Sequence, residues 1–267
     1  MLLATDIGNS DIVFGLYADG TWRHVWRTPS LADKPATHYA TQLRLWLLEA
    51  NVRPDAVITT VLSSVVPPLT PTIQSVLQVL FAPEPIVVGP AVYPYLPLEV
   101  LRPYEIGTDL VANALAAYSR YRRNCVVVDF GTALSFTVVT GNGRIVGVSI
   151  APGLRTAIHS LFTDTAQLPE VPIELPASAL GTNTTQAIQV GVVLGYEGLI
   201  RFLIQRTRAE LNGDCIAVAT GGLSAAIPTL RDEFIDIIPS LTLDGIRQIG
   251  ELSQAGIKAK AASTNAS

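Results

Sequence analysis

The chain has 267 residues, of which 49% are hydrophobic and 15% charged, and its net charge is −4. That length suits one large domain or two ordinary ones, and the apolar content supports a substantial core and excludes a disordered chain. The acidic balance, with no basic run longer than Arg120-Tyr121-Arg122-Arg123, argues against a nucleic-acid partner.

Cys125 and Cys215 are the only cysteines and lack CxxC spacing, so they read as buried thiols in a reducing compartment. The start has no basic n-region and no cleavage site. Every apolar stretch of spanning length has polar interruptions, so no membrane association is expected. The expectation is a soluble cytoplasmic protein. P-loop, HExxH and GxSxG motifs are absent, and three scattered histidines do not make a zinc site.

The first apolar run ends at Asp6-Ile7-Gly8-Asn9-Ser10, and a second run follows from Asp11-Ile12-Val13. This reads as a β-hairpin whose turn carries a carboxylate, an amide and a hydroxyl. A carboxylate beside turn amides suits a metal–phosphate group, although the same residues also make ordinary turns. A strand over Thr21–Thr28 and a polar loop over Leu31–Pro35 come next. Tyr39, Leu43, Trp46 and Leu47 then recur at helical spacing and predict a helix over Thr37–Ala50. A strand is predicted over Ala56–Leu62, a helix over Thr70–Leu80 and a strand over Pro85–Val88. The proline-rich stretch Tyr93–Pro103 reads as an extended loop. Glu105-Ile106-Gly107-Thr108-Asp109 leads into a small, apolar helix over Leu110–Tyr118, with Asp109 in its first turn, where the helix dipole favours a carboxylate.

Strands are predicted over Asn124–Phe130, Leu134–Thr140 and Arg144–Ile150, the last two joined by a hairpin turn at Gly141-Asn142-Gly143. Here the chain repeats itself: Asp129-Phe130-Gly131-Thr132 echoes Asp6-Ile7-Gly8-Asn9, each closing an apolar strand and opening a βββ unit. An internal duplication follows, with domains 1–122 and 123–267. Two such turns could face each other across an interdomain cleft. Ala151-Pro152-Gly153 ends a strand before a helix, and Leu168–Leu180 is a proline-broken loop. Gly181-Thr182-Asn183-Thr184 enters a long helix reaching about Leu211, whose glycines at 191, 195 and 198 read as sites of close packing, within the chain or across a dimer. After a strand over Cys215–Ala219, Thr220-Gly221-Gly222-Leu223-Ser224 reads as a turn entering a helix and presenting N–H groups to an anion. The tail from Gln254 reads as a frayed helix or disorder.

Taken in order, Asp6-x-Gly8-Asn9-Ser10, Gly107-x-Asp109, Asp129-x-Gly131-Thr132-Ala133, Ala151-Pro152-Gly153, Gly181-x-Asn183-Thr184 and Thr220-Gly221-Gly222 form a set. It resembles the type III pantothenate kinases of the acetate kinase/sugar kinase/Hsp70/actin superfamily over almost the whole chain. The resemblance implies an α/β protein of duplicated ribonuclease H-like (actin-like) fold, two βββαβαβα-type domains around a cleft. It implies phosphoryl transfer from ATP to the primary alcohol of pantothenate, the first step toward coenzyme A. The first turn, Asp6, Ile7, Gly8, Asn9, Ser10, Asp11, Ile12 and Val13, would sit against the ATP phosphates and Mg2+. Thr132 would contact ATP, Asp109 would accept the proton, and Asp129 would bind a monovalent cation (K+ or NH4+). Val100, Gly107, Thr108, Asp109 and Leu110 occupy the substrate positions. Thr184 would reach pantothenate from the partner subunit of a homodimer.

The chain departs from the family pattern at named places. Leu110 stands where the family has arginine, Val100 where it has tyrosine, Thr137 where it has a last acid, and Gly147-Val148 replaces a double glycine. Arg102 or Arg155 could supply the missing cation. Weak kinase activity, a different small alcohol as substrate, and a non-catalytic nucleotide-binding regulatory paralogue are the competing consequences. Without the resemblance, Asp109 is a helix-start acid, Asp129 a turn acid, Thr184 a helix N-cap, and His159 a surface or packing residue.

Overall fold

The chain, seen in a computed structural model that describes residues 1–264, forms two units: Met1–Ala116 together with Thr242 onward, and Ala117–Leu241. In order, the strands are β1 (Leu2–Ile7), β2 (Asp11–Ala18), β3 (Thr21–Pro29), β4 (Thr59–Ser64), β5 (Ile86–Val87), β6 (Cys125–Phe130), β7 (Ala133–Val139), β8 (Ile145–Pro152), β9 (Ile216–Thr220) and β10 (Asp236–Ile237). The helices are α1 (Ala36–Glu49), α2 (Thr70–Leu80), α3 (Thr108–Tyr121), α4 (Leu154–Thr163), α5 (Thr184–Gln189), α6 (Gly195–Glu210) and α7 (Leu241–Thr264).

In the first unit the five-stranded sheet has the order β3-β2-β1-β4-β5. β1 pairs antiparallel with β2 and parallel with β4. β1 is buried along nearly its whole length, as a central strand covered on both faces must be, and this is why it reads as an apolar run rather than an alternation. On one face Leu3, Ile7, Ile12, Phe14 and Leu62 pack with Tyr39, Leu43 and Leu47 of α1 and Ile73, Val76 and Leu77 of α2. Successive strand residues point to opposite faces, so Val61, next to Leu62, points the other way and meets α7 at Gly250. Gln254 Nε2 of α7 also donates to Thr59 Oγ1 at 2.9 Å.

The second unit repeats this plan. Its sheet order is β10-β9-β6-β7-β8, with β6 antiparallel to β7 and parallel to β9. Each β6 residue therefore has a counterpart in β1, and the duplication read from the sequence is a duplication of topology. Val126, Val128, Phe130, Leu134 and Phe136 pack with Val193, Ile200 and Ile204.

Several sequence expectations need correction. The boundary at 122/123 assigns the C-terminus to the second unit, yet α7 from Thr242 packs on the first. Ile246, Ile249 and Ser253 are fully buried there, and Gln254, assigned to a frayed tail, is tied to β4. Residues 265–267 of that tail lie outside the described residues. Within the chain, a Cβ at Gly191, Gly195 or Gly198 would meet nothing within 4 Å, so these glycines do not serve close packing there. Close packing instead falls at Gly245, where a Cβ would lie 2.8 Å from Ala112 Cα and closer still to its carbonyl. The long helix is not uniform: a π-helical turn, Val190–Leu194, separates α5 from α6. β4 starts at Thr59, because Pro54–Ala56 forms a 3₁₀ turn instead of the strand's first residues. Tyr93–Tyr95 is also a 3₁₀ turn inside the predicted loop.

Both cysteines are buried and free, as expected, and burial raises both thiols well above their ordinary pKa. One helical stretch, Thr184–Glu210, is long and apolar enough to cross a membrane by length and composition, which the sequence reading did not anticipate. Its Arg201 pairs with Glu197 at 3.1 Å and with Glu233 of the same unit, the behaviour of a helix packed in a folded domain.

Replacing Gly245 with alanine forces α7 away from the Ala112 carbonyl. The expected result is a loss of at least about 2 kcal/mol of stability, read as a lower urea midpoint. Gly191→Ala, in open space, is expected to leave the midpoint essentially unchanged.

Candidate active site

The first DxG turn is a tight hairpin. Gly8 N–H donates to Asp11 C=O at 3.0 Å, and Ser30 fastens the turn from β3's end, its N–H to Ser10 C=O at 2.9 Å and its Oγ to Gly8 C=O at 2.6 Å. Ile7 and Ile12 are fully buried core residues, so only their backbone is available to a ligand. Asn9 and Ser10 are exposed at the tip, Asp6 is half-buried at the strand end, and Asp11 is engaged by Arg27 at 2.9 Å. Val13 is half-buried in β2.

β4 connects this turn to the Gly107-x-Asp109 motif. In the β1–β4 ladder, Asp6 stands beside Ser63 and Ile7 beside Ser64. Ser63 Oγ and Thr108 Oγ1 are 2.9 Å apart, and the same Thr108 hydroxyl accepts from Ser64 N–H at 3.2 Å and donates to Ser64 C=O at 3.1 Å. Thr108, a substrate position by resemblance, thus uses its hydroxyl to dock the start of α3 on the carboxyl end of β4. Asp6 and Asp109 are brought to the same end of the sheet, where parallel α/β folds place ligands.

Asp109 is the second residue of α3. Its Oδ1 accepts the Leu110 N–H at 2.9 Å. A Cβ on Gly107 would lie 2.5 Å from that oxygen, so Gly107 leaves the room the carboxylate occupies. Burial raises the Asp109 pKa above its ordinary value, outweighing the lowering by hydrogen bonds from the Leu110 and Asp109 amides. Leu110 is buried, with only 7% of its surface exposed. Arg102, considered as a replacement cation, is exposed and paired with Glu105 at 3.1 Å, and Arg155 is exposed on the other unit. Val100 is half-buried in the loop. Sequence reasoning missed Tyr93, which is 5% exposed and whose hydroxyl has no hydrogen-bond partner. Its only sequence signal was an aromatic residue in a stretch read as loop.

The second DxG turn is clamped differently. Gly131 N–H donates to Ala133 C=O at 3.2 Å, and Thr132 C=O accepts from Gly153 N–H at 2.9 Å and from Thr156 Oγ1 at 2.7 Å. A Cβ on Gly153 would lie 2.6 Å from Thr132 O, so the Ala151-Pro152-Gly153 motif is a steric fit to this turn. Tyr196 Oη holds the same segment by donating to Pro152 C=O at 2.7 Å. The Asp129 carboxylate lies against Gly221, where a Cβ would be 2.5 Å from Oδ1; Gly221 has φ +90° and needs glycine on both counts. The expected helix after Gly221-Gly222 is absent. Ser224 N–H turns back to Gly221 C=O at 3.2 Å, Ala226 N–H to Leu223 C=O at 2.9 Å, and the next helical segment is a 3₁₀ turn starting at Pro228. No helix N-terminus faces an anion there.

Thr184 is not the N-cap. Asn183 is, with Oδ1 accepting the Gln186 N–H at 2.9 Å, while Gln186 Oε1 accepts from Thr182 N–H at 3.0 Å. This reciprocal arrangement was legible as a polar residue followed three positions later by glutamine. Thr184 itself is exposed in the first turn of α5.

Among the described residues no group of three or more His, Cys, Asp or Glu gathers. Single carboxylates at strand ends, such as Asp6 and Asp129, fit hard cations that take the rest of their oxygens from phosphate, water or backbone.

The fold resembles that of MreB5 of Spiroplasma citri bound to ADP (TM-score 0.53, 10% identity, 96% of this chain and 98% of that one). It also resembles a ROK family glucokinase from Streptomyces griseus in complex with glucose and AMPPNP (TM-score 0.52, 13% identity, 94% and 99%). These likenesses define the class as the duplicated actin-like fold. Within that class, the chain belongs to the type III pantothenate kinase family, whose family model matches residues 2–206. Type III pantothenate kinases of Treponema pallidum (strain Nichols) and Thermomicrobium roseum are 45% identical over 257 residues and 39% identical over 251. They cover 94% of this chain each, and 94% and 97% of their own lengths.

Gly221→Ala is expected to destabilise the second unit by about 1–3 kcal/mol, through positive φ and displacement of the Asp129 carboxylate. Chemical denaturation measures this. Gly222→Ala, with nothing within 4 Å of the new Cβ, is the matched control and should stay within about 0.5 kcal/mol.

Proposed function

We propose that the chain phosphorylates pantothenate with ATP, giving 4'-phosphopantothenate in the first step of coenzyme A biosynthesis. The carrying observation is Asp109, a carboxylate with a raised pKa at the carboxyl end of the sheet, in a chain related to pantothenate kinases along nearly its whole length. The pantothenate hydroxyl oxygen attacks the γ-phosphorus, the bond to the β–γ bridging oxygen breaks, ADP leaves, and Asp109 takes the hydroxyl proton. Such transfer needs positioning and charge neutralisation more than covalent help from the protein. Asp6 and the turn through Val13 face the phosphates, with Thr132 a further ATP contact. Mg2+ held beside Asp6 would neutralise phosphate charge. Asp129 takes a monovalent cation, K+ or NH4+. Thr184, exposed at the start of α5, meets pantothenate bound to the other protomer of a homodimer. The setting is the cytoplasm, without nucleic-acid or membrane partners.

Purified protein with ATP, Mg2+, K+ and pantothenate should turn over in a coupled ADP assay. Turnover no higher than that of Asp109→Ala sinks the reading. ATP binding without pantothenate binding by calorimetry favours the regulatory-paralogue reading, which the buried Leu110 motivates. Activity on other alcohols with pantothenate inert favours a different substrate.

Asp109→Asn is expected to lower kcat by about 10²–10⁴ without lowering Tm at neutral pH. Because the folded-state pKa is raised, the favourable contribution of this group is present at low pH and is lost as pH rises through that pKa. Removing the charge relieves that loss. The base works only when deprotonated, so kcat/KM should fall on acidification at a pH above the ordinary carboxylate range.

A further inference from the structure

Tyr93 sits in the 3₁₀ turn Tyr93–Tyr95, which packs against α7: a Cβ on Gly256 would lie 2.9 Å from the Tyr95 ring. The Tyr93 ring is buried, with 5% of its surface exposed, and its Oη has no partner. A buried hydroxyl without a hydrogen bond lowers stability by about 1–3 kcal/mol, and groups in that state gather where a ligand completes them.

The neighbourhood defines the ligand. Asp109 is near enough for its charge to add to burial in pushing the Tyr93 phenol up to about 12, so Tyr93 stays a neutral donor at any working pH. Leu110 contributes an apolar side chain, and the nearby Arg102 is held by Glu105. A donor without charge, next to a carboxylate and without a free guanidinium, does not suit a substrate carboxylate. It suits a neutral oxygen, a hydroxyl or an amide carbonyl. Pantothenate carries both close to its primary alcohol, while its carboxylate is at the far end.

We infer that Tyr93 Oη donates a hydrogen bond to a neutral oxygen of pantothenate adjoining the hydroxyl that reacts at Asp109, and so positions the alcohol end of the substrate. This rests on the kinase reading above. It gives the chain, at an upstream position, a tyrosine contact where Val100 has none to offer.

The test is Tyr93→Phe, which keeps the ring and removes only the hydroxyl. KM for pantothenate should rise about 10- to 100-fold, with KM for ATP unchanged and kcat lowered less than kcat/KM. The ligand-free Tm should hold or rise, because an unpartnered hydroxyl has been removed. An unchanged KM for pantothenate overturns the inference. So does a rise in both KM values together with a fall in Tm, since that is the signature of a packing role. If wild-type protein turns over pantothenate in the same series, either result counts against Tyr93 alone. If the wild type neither binds nor turns over pantothenate, the kinase reading fails and the Tyr93 assignment falls with it.

Discussion

The hydroxyl of Thr108 fixes the geometry on which the proposed chemistry depends. It bonds Ser63 Oγ, Ser64 N–H and Ser64 C=O, so the first residue of α3 is locked to the last two residues of β4. β4 is in turn in register with β1, so the position of Asp109 relative to Asp6 is set by a strand ladder and a three-bond hydroxyl rather than by a loop. A side chain on a rigid element, held by its neighbours' hydrogen bonds, is the arrangement that keeps catalytic groups in place. Loss of that hydroxyl would loosen Asp109 without touching it.

The two DxG turns show how one duplicated motif is held by different means. In the first unit, Ser30 clamps the turn from outside through two hydrogen bonds to its carbonyls. In the second, glycines do the work: Gly153 and Gly221 admit neighbouring backbone that any side chain would exclude. The first turn therefore depends on a polar contact from β3, the second on close approach. The sequence repeat is visible in the turns themselves, whereas the clamps, being distant in sequence and different in kind, do not repeat.

That difference also explains what was legible beforehand. Apolar strand runs, the DxG turns and helices such as Thr70–Leu80 are local patterns, and they stand where the sequence puts them. Errors came where local signals were ambiguous or the deciding contact was remote. The glycine-rich turn at 221–222 looks like a helix entry, but turn hydrogen bonds and Pro228 use the segment otherwise. The Ala/Ser-rich C-terminus looks loose because its neighbours are small, yet those small residues are what let α7 lie close against Ala112 and Val61. The glycines at 191, 195 and 198 carry the same composition with no such neighbour inside the chain. Of the candidate site, the acids could be read from motifs. The burial that perturbs Asp109 and the orphaned Tyr93 hydroxyl could not, because both depend on the fold.

The substitution at position 110 changes the chemistry of Asp109 in a definite direction. An arginine next to this carboxylate would favour its charged form and lower its pKa. With Leu110 buried there and Arg102 paired elsewhere, desolvation dominates and the pKa rises. A base whose pKa is nearer the working pH binds the departing proton more strongly, which favours late proton transfer from an alcohol. The same change removes a cation that could have met a substrate carboxylate, so recognition has to shift toward neutral groups. Leu110 is thus compatible with phosphoryl transfer and selects how it is achieved: a more basic carboxylate, and an alcohol end read by neutral hydrogen bonds rather than by charge.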